Sequence, residues 1–357
     1  MNFENRYGLL GRALHRVAFA TTTAQLGVAD LERRIFARDL VGVAPGAPVL
    51  ITALPRAGTT IFLEMLAAAP SFASHIYRDM PFVLCPLLWS RFTAAFRRAD
   101  APRERAHGDG IRISLDSPEA FEEMLWKAFF ADHYRGPTLP VWSDCSQREF
   151  VEFFAEHRRK VVALRRRQKP TAGRYVSKNN LDIARIPALW QAVPDAHVVV
   201  MVREPLQQAA SLHRQHLRFL DLHARDAFAR RYMAGIGHFD FGSNLKPIDF
   251  GGWYALRSAP DATQFAFWLE YWIAAYRHVL QHVHHERLHV VAFERLCGGG
   301  DLRRLASCLG VDVAELASQR GRLEGGRERL VDPTLASPAA VAEARELHEA
   351  LVLHAVV

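Results

Sequence analysis

Residues 49–66 read VLITALPRAGTTIFLEML: a short apolar strand-like run, the turn Pro55-Arg56-Ala57-Gly58-Thr59-Thr60, and an apolar helix-like run. A strand that passes through a tight turn into a helix leaves the first helical N–H groups without acceptors. Together with the helix dipole they form an anion site. Gly58 permits close backbone approach, Thr59 and Thr60 add hydroxyl donors, and Arg56 adds a forked, permanent charge suited to phosphate or sulfate oxygens. The usual nucleoside-triphosphate loop, G-x-x-x-x-G-K-[ST], does not fit, because no Gly stands five residues before Gly58 and no Lys follows it. Taken alone the turn is only moderately specific, since a tight turn capped by Thr60 would also explain it.

The rest of the chain places that junction in an α/β fold. Residues 3–40 carry helical spacing, and the Pro/Gly stretch at 42–48 stops it. Further strands are expected at RYVSKN (174–179), HVVVMV (197–202) and RLHVVAF (287–293). Helices are expected at 61–69, 150–169, 205–222, 263–285 and 302–309, and a further one at 114–130 with Ser117 as N-cap and Pro118 at the first position. A charged, Gly-containing loop is expected at 100–110. Strands alternating with helices argue for a parallel sheet wrapped by helices. No boundary divides the chain, so a single domain over 1–357 is expected. It carries an N-terminal helical segment (1–45) and two insertions (80–145 and 218–262) placed to line a substrate pocket.

Composition narrows the class. Half of the residues are apolar and 23% charged, as in an ordinary globular protein. Lys and Arg exceed Asp and Glu by 45 − 38 = 7, which suits an anionic ligand but is too scattered to specify nucleic acid. The basic run at 165–169 is read as a solvated helix C-terminus rather than a nucleic-acid patch. Four dispersed cysteines without a CxxC pair support neither a metal site nor a disulfide framework. No run is long enough for a membrane helix, and the N-terminal apolar stretch is broken by threonines, so a cytoplasmic location without membrane insertion is expected.

A second element joins the first. Arg203 follows HVVVMV, at a strand end where α/β sheets place ligands; Pro205 starts the next helix, and Ser211 lies about two turns along it. With both elements in place, the chain resembles the sulfotransferases that use 3′-phosphoadenosine 5′-phosphosulfate (PAPS), a family with a P-loop-like fold. Their first motif, PR[SA]GTT, is matched by Pro55 to Thr60. Their second, R-x-P-x(5)-S, is matched by Arg203, Pro205 and Ser211. The segment from Val290 resembles the family's closing strand and helix, with Phe293 where Tyr is usual. The likeness runs from about residue 45 to 315.

The resemblance implies that Arg56, Ala57, Gly58, Thr59 and Thr60 cradle the 5′-phosphosulfate and that Arg203 and Ser211 hold the 3′-phosphate. The product would be the bisphosphate PAP, and no metal is required. Lys178, at a strand end as in tyrosylprotein sulfotransferases, is the second cation expected at the reacting centre. For the base that takes the acceptor's proton two residues stand open: Asp79 in RDMPF, the nearest match to the family's Glu, and His75, whose ordinary pKa suits the task. The acceptor is a small molecule, a glycan or a lipid, and nucleic acid is not expected; nothing in the sequence specifies an oligomeric state. Two other classes remain in view: a P-loop nucleotide-dependent kinase, against which the missing Lys counts, and a non-catalytic binder of anions or nucleic acid.

Overall fold

The β-branched runs pair side by side. In the computed structural model, which describes residues 9–94, 103–104, 112–256, 260–323 and 331–357, they form β1 (Gly46–Thr52), β2 (Phe72–Ala73), β3 (Arg174–Lys178), β4 (His197–Val202) and β5 (Leu288–Ala292). These make one sheet in the order β2-β3-β1-β4-β5, and every pairing in it is parallel. Parallel neighbours need crossover connections, which put helices on both faces and bury both sides of each strand. The alternation is visible within single strands. Val49, Ile51, Val199 and Met201 face one core, while Leu50, Val198, Val200 and Val202 face the other.

The first core is closed by α3 (Thr59–Ala68) and the helix Arg303–Leu309. The larger second core is closed by α5 (Arg148–Arg166), α6 (Pro205–Arg225), α8 (Phe265–Leu280) and α9 (Pro338–Leu353). The aromatic stripe of α8 belongs here: Trp268, Trp272 and Tyr276 are fully buried. From β1 the chain steps out to β2, returns to β3, and then crosses to β4 and β5. The order thus reverses around β1, and the carboxyl ends of β3, β1 and β4 flank the crevice that such a reversal opens.

Two expectations change. The helix expected at 114–130 forms only as α4 (Glu123–Phe129). Pro118 instead bridges Ile76, the Glu119 N–H donates to the His75 carbonyl at 3.0 Å, and the Ser117 hydroxyl accepts from the Ser114 N–H, so this stretch lies extended against the chain leaving β2. The second change is α9, absent from the sequence reading, which packs on α8. Beyond it Val356 donates to the Val290 carbonyl at 2.8 Å. The loop expected at 100–110 lies, apart from 103–104, outside the described residues, and no helix among the described residues is long and apolar enough to cross a membrane.

The N-terminal segment, α1 (Leu9–Ala20) and α2 (Thr22–Ile35), is tied to the body by a buried ion pair. Lys160 of α5 meets Glu32 of α2 at 3.0 Å and donates to the Ala29 carbonyl at 2.8 Å, while the Leu88 N–H donates to the other Glu32 oxygen. Removing one member leaves the other charge buried and alone, which costs roughly 3–5 kcal/mol. Lys160→Met is therefore expected to lower stability by that order in urea unfolding while keeping one cooperative transition. A second transition in the wild-type protein would show that residues 9–35 fold apart from the rest.

Candidate active site

The turn after β1 is held in a costly conformation. Arg56 has φ 71° and Gly58 φ 92°. A left-handed non-Gly residue costs about 1–3 kcal/mol and persists only where its surroundings fix it. Gln208 of α6 fixes this one, its side-chain N–H donating to the carbonyls of Leu54 and Pro55, both at 3.0 Å. Gln208 is itself buried, and its side-chain oxygen accepts from Trp272 Nε1 at 2.9 Å. Gly58 then serves as N-cap of α3 without any side-chain cap, so the first-turn amides of Thr59, Thr60 and Ile61 face the turn. A Cβ on Gly58 would stand 2.3 Å from the Phe293 ring, so glycine is required by space as well as by φ.

The structure brings the two sequence motifs together. Arg203, just past β4, donates from Nη1 to the Arg56 carbonyl at 3.0 Å, and Arg56 Nε donates to the Ser211 hydroxyl at 3.1 Å. Arg203 also stacks on Phe293, its guanidinium 4.9 Å from the ring centre. Burial lowers the Arg203 pKa, Glu294 partly offsets this, and the neighbouring Arg56 charge lowers it further. Two guanidinium groups that disfavour each other beside a helix N-terminus make this crevice favourable for bound anions. Glu294 also accepts the Glu204 N–H at 2.9 Å and so fixes the entry to α6. Lys178 ends β3 directly beside Ile51 of β1, four residues before Pro55 of the turn.

Asp79 and His75 lie deeper. Both are buried, at the end of the chain leaving β2. One Asp79 oxygen accepts from His75 Nδ1 and from the Ile76 N–H, each at 3.0 Å, and both oxygens accept from Arg165. Burial would raise the Asp79 pKa, but Arg165 and then His75 outweigh it, and the carboxyl is held well below the usual range. His75 Nε2 meets His157 Nε2 at 2.9 Å. Burial, and then His75, keeps His157 neutral by lowering its pKa well below the ordinary value. Arg78, the neighbour Asp79 could have paired with, instead binds Asp116 through two hydrogen bonds of 3.0 Å. The geometry thus commits Asp79 and His75 to each other, to Arg165 and to His157.

Several contributors to this crevice escaped the sequence reading. Gln208 looks like any polar helix residue until its partners are known. Tyr77 donates to Glu119, Asn180 (two residues past Lys178) donates to Asp240 at 3.4 Å, and Asp240, Lys178 and Glu119 all act electrostatically on His238. The aromatic, turn-rich HFDFGSN stretch (238–244) was the available signal for Asp240.

With this geometry in place, comparison with known proteins gives a family. The model of a sulfotransferase family matches residues 48–238, more than half of the chain, and the chain belongs to that family. No curated protein matches it. Among solved structures, the sulfotransferase STF9 from Mycobacterium avium superposes with a TM-score of 0.51 at 15% identity, covering 94% of this chain and 83% of that one. The sulfotransferase STF1 from Mycobacterium tuberculosis gives 0.45 at 14% identity, covering 90% and 80%. At this identity the likeness to STF9 is one of fold, the P-loop-like arrangement of a parallel sheet and flanking helices.

The Asp79 environment has a measurable consequence. A carboxyl held below its unfolded pKa, near 4, contributes stability above that pH and loses it as pH falls through the folded value. Asp79→Asn, which leaves Arg165 buried without its counter-charge, is expected to destabilise by roughly 3–5 kcal/mol at pH 7. It should also flatten the acid limb of the stability profile below pH ~4. Wild-type stability in the variant would remove Asp79 from this structural role.

Proposed function

We propose that this chain transfers a sulfuryl group from PAPS to a hydroxyl or amine of a small-molecule, glycan or lipid acceptor in the cytoplasm, releasing PAP. The observation that carries this reading is the convergence of Arg56, Arg203 and Ser211 on the N-terminus of α3, from two motifs about 150 residues apart in sequence. The residues fit a ligand with two separated phosphate groups. The α3 amides and Arg56 face one anion; Arg203 and Ser211, approached from β4 and α6, can take a second.

In this reading Arg56 and the turn amides bind the 5′-phosphosulfate and neutralise the phosphate oxygen as it leaves. By analogy with phosphoryl transfer, the protein's contribution is chiefly placement and electrostatics. Lys178, at the carboxyl end of β3, places a third cation beside the turn, on the side of the acceptor. Asp79 and His75, their polar atoms already committed, hold the chain leaving β2 in place and position Tyr77 and Glu119 at the rim. The kinase alternative shares the loop architecture but would require a triphosphate with a divalent metal.

Calorimetric titration with PAP, ATP and GTP in the presence of EDTA distinguishes these readings. Micromolar binding of PAP alone is expected. Preference for ATP or GTP, strengthened by Mg²⁺, would replace this proposal with the kinase. Arg203→Ala should weaken PAP by roughly 1.5–3 kcal/mol, the worth of a charged hydrogen bond, with the fold intact. Equal affinity in the variant would remove Arg203 from the phosphate site.

A further inference from the structure

One segment is fixed far more heavily than a connecting loop needs. It runs from the end of α7 (Ala227–Gly235) through residue 246, and four side chains pin it. Lys127 of α4 donates to the carbonyls of Ala234 and Gly235, the latter at 3.0 Å. Lys246 turns back to donate to the carbonyls of Tyr134 and Gly136, the latter at 2.7 Å. From α6, His216 Nδ1 accepts the Gly242 N–H at 3.1 Å and His223 Nδ1 accepts the Ser243 N–H at 3.2 Å. Burial lowers both histidine pKa values to about 4, so near neutral pH each keeps its acceptor nitrogen. Gly237, at φ 83°, leaves no room for a side chain, since a Cβ there would lie 2.4 Å from Glu123 Cγ. Such over-determination of an irregular segment is the mark of a preorganised site.

What the segment holds in place is a His–Asp pair beside Lys178. His238 Nε2 lies 3.7 Å from Asp240 Oδ2, and the two side chains are 14% and 11% exposed. The imidazole stacks on Phe219 with ring centres 5.3 Å apart, and Asp240 is anchored by the Asn180 amide, two residues past Lys178. At 3.7 Å the pair is too far apart for a direct hydrogen bond, and one acceptor hydroxyl can reach both.

We propose that His238 is the catalytic residue that takes the acceptor's proton, with Asp240 as its positioning partner; this rests on the sulfotransferase reading above. The acceptor O–H gives its proton to His238 Nε2, and the oxygen lone pair forms the new O–S bond. The S–O bond to the 5′-phosphate breaks with its electron pair on the phosphate oxygen, which Arg56 and the turn amides receive. Asp240 stabilises the imidazolium so formed. The charged groups that bear on His238 come from every side. Asp240 and Glu119 raise its pKa, Lys178 lowers it, and His223 of α6 stands within electrostatic range. Burial is the largest influence, and the net displacement is downward, leaving a neutral imidazole able to accept a proton at pH 7.

The test is release of PAP from PAPS by the full chain, with phenols, sugars, amines or water alone as acceptor. His238→Gln should slow transfer at least ~100-fold while PAP affinity stays within about twofold. The wild-type kcat/KM should fall on an acid limb below pH ~6.5 that His238→Gln abolishes and Asp240→Asn moves to lower pH, because the carboxylate that raises the imidazole pKa is gone. A merely structural histidine would lower thermal stability and leave the acid limb in place. An undiminished rate in His238→Gln overturns the assignment. So does a wild-type chain that binds PAP yet transfers to no acceptor, water included, since a base poised at this site would activate water. Failure of the wild type to bind PAP would instead remove the reading on which the assignment rests.

Discussion

The site depends on one strained turn. Arg56 and Gly58 take left-handed conformations so that the chain leaving β1 can present the N-terminus of α3 to the crevice. Arg203, from the connection between β4 and α6, and Gln208, from the start of α6, hold that turn by its carbonyls. The second motif is therefore the mechanical support of the first as well as its electrostatic complement. Trp272 and Tyr276 of α8 extend the support through the Gln208 side-chain oxygen, with Tyr276 also donating to the Met201 carbonyl at 2.9 Å. Both aromatic residues are buried in the larger core. They carry the rigidity of the larger core to the turn through a chain of buried hydrogen bonds.

Much of this was legible in the sequence because it rests on period and local chemistry. The apolar run at 49–54 and the β-branched run at 197–202 mark strands buried on both faces, and RYVSKN (174–179) reads as a further strand. The Pro55–Thr60 turn and the Arg203–Pro205–Ser211 spacing mark strand-to-helix junctions whose backbone geometry is nearly obligatory. The failure at 114–130 is as instructive. Ser117-Pro118 followed by acidic residues is a sound helix start, yet the unpaired groups of the chain leaving β2 offered Pro118 and Glu119 better partners. Local propensity, worth tenths of a kcal/mol per residue, yields to a pairing that also buries apolar surface.

The polar residues of the crevice were the least legible, because their roles are set by contacts across long sequence separations. Asp79 reads from sequence as the nearest match to the family's catalytic Glu. In the fold it lies opposite Arg165, 86 residues on, and that pairing holds its carboxyl well below the usual range. His75 is drawn into the same network through His157. Gln208, His216 and His223 all lie on α6 and look interchangeable as polar helix positions. Each is buried; Gln208 is aimed at the turn after β1, and His216 and His223 at the adjacent amides of Gly242 and Ser243.

Asp79 and Asp240 thus sit in different surroundings, and the groups that make the difference can be named. Asp79 is closed off by a guanidinium, an imidazole and a backbone amide, and a carboxylate so satisfied has little basicity left to use. Asp240 accepts from the Asn180 amide at 3.4 Å, faces the His238 imidazole at 3.7 Å, and is 11% exposed. Proton transfer needs its groups placed on a frame that does not move. The frame here is the segment nailed down by Lys127, Lys246, His216 and His223, and the pair it holds beside Lys178 is His238 and Asp240.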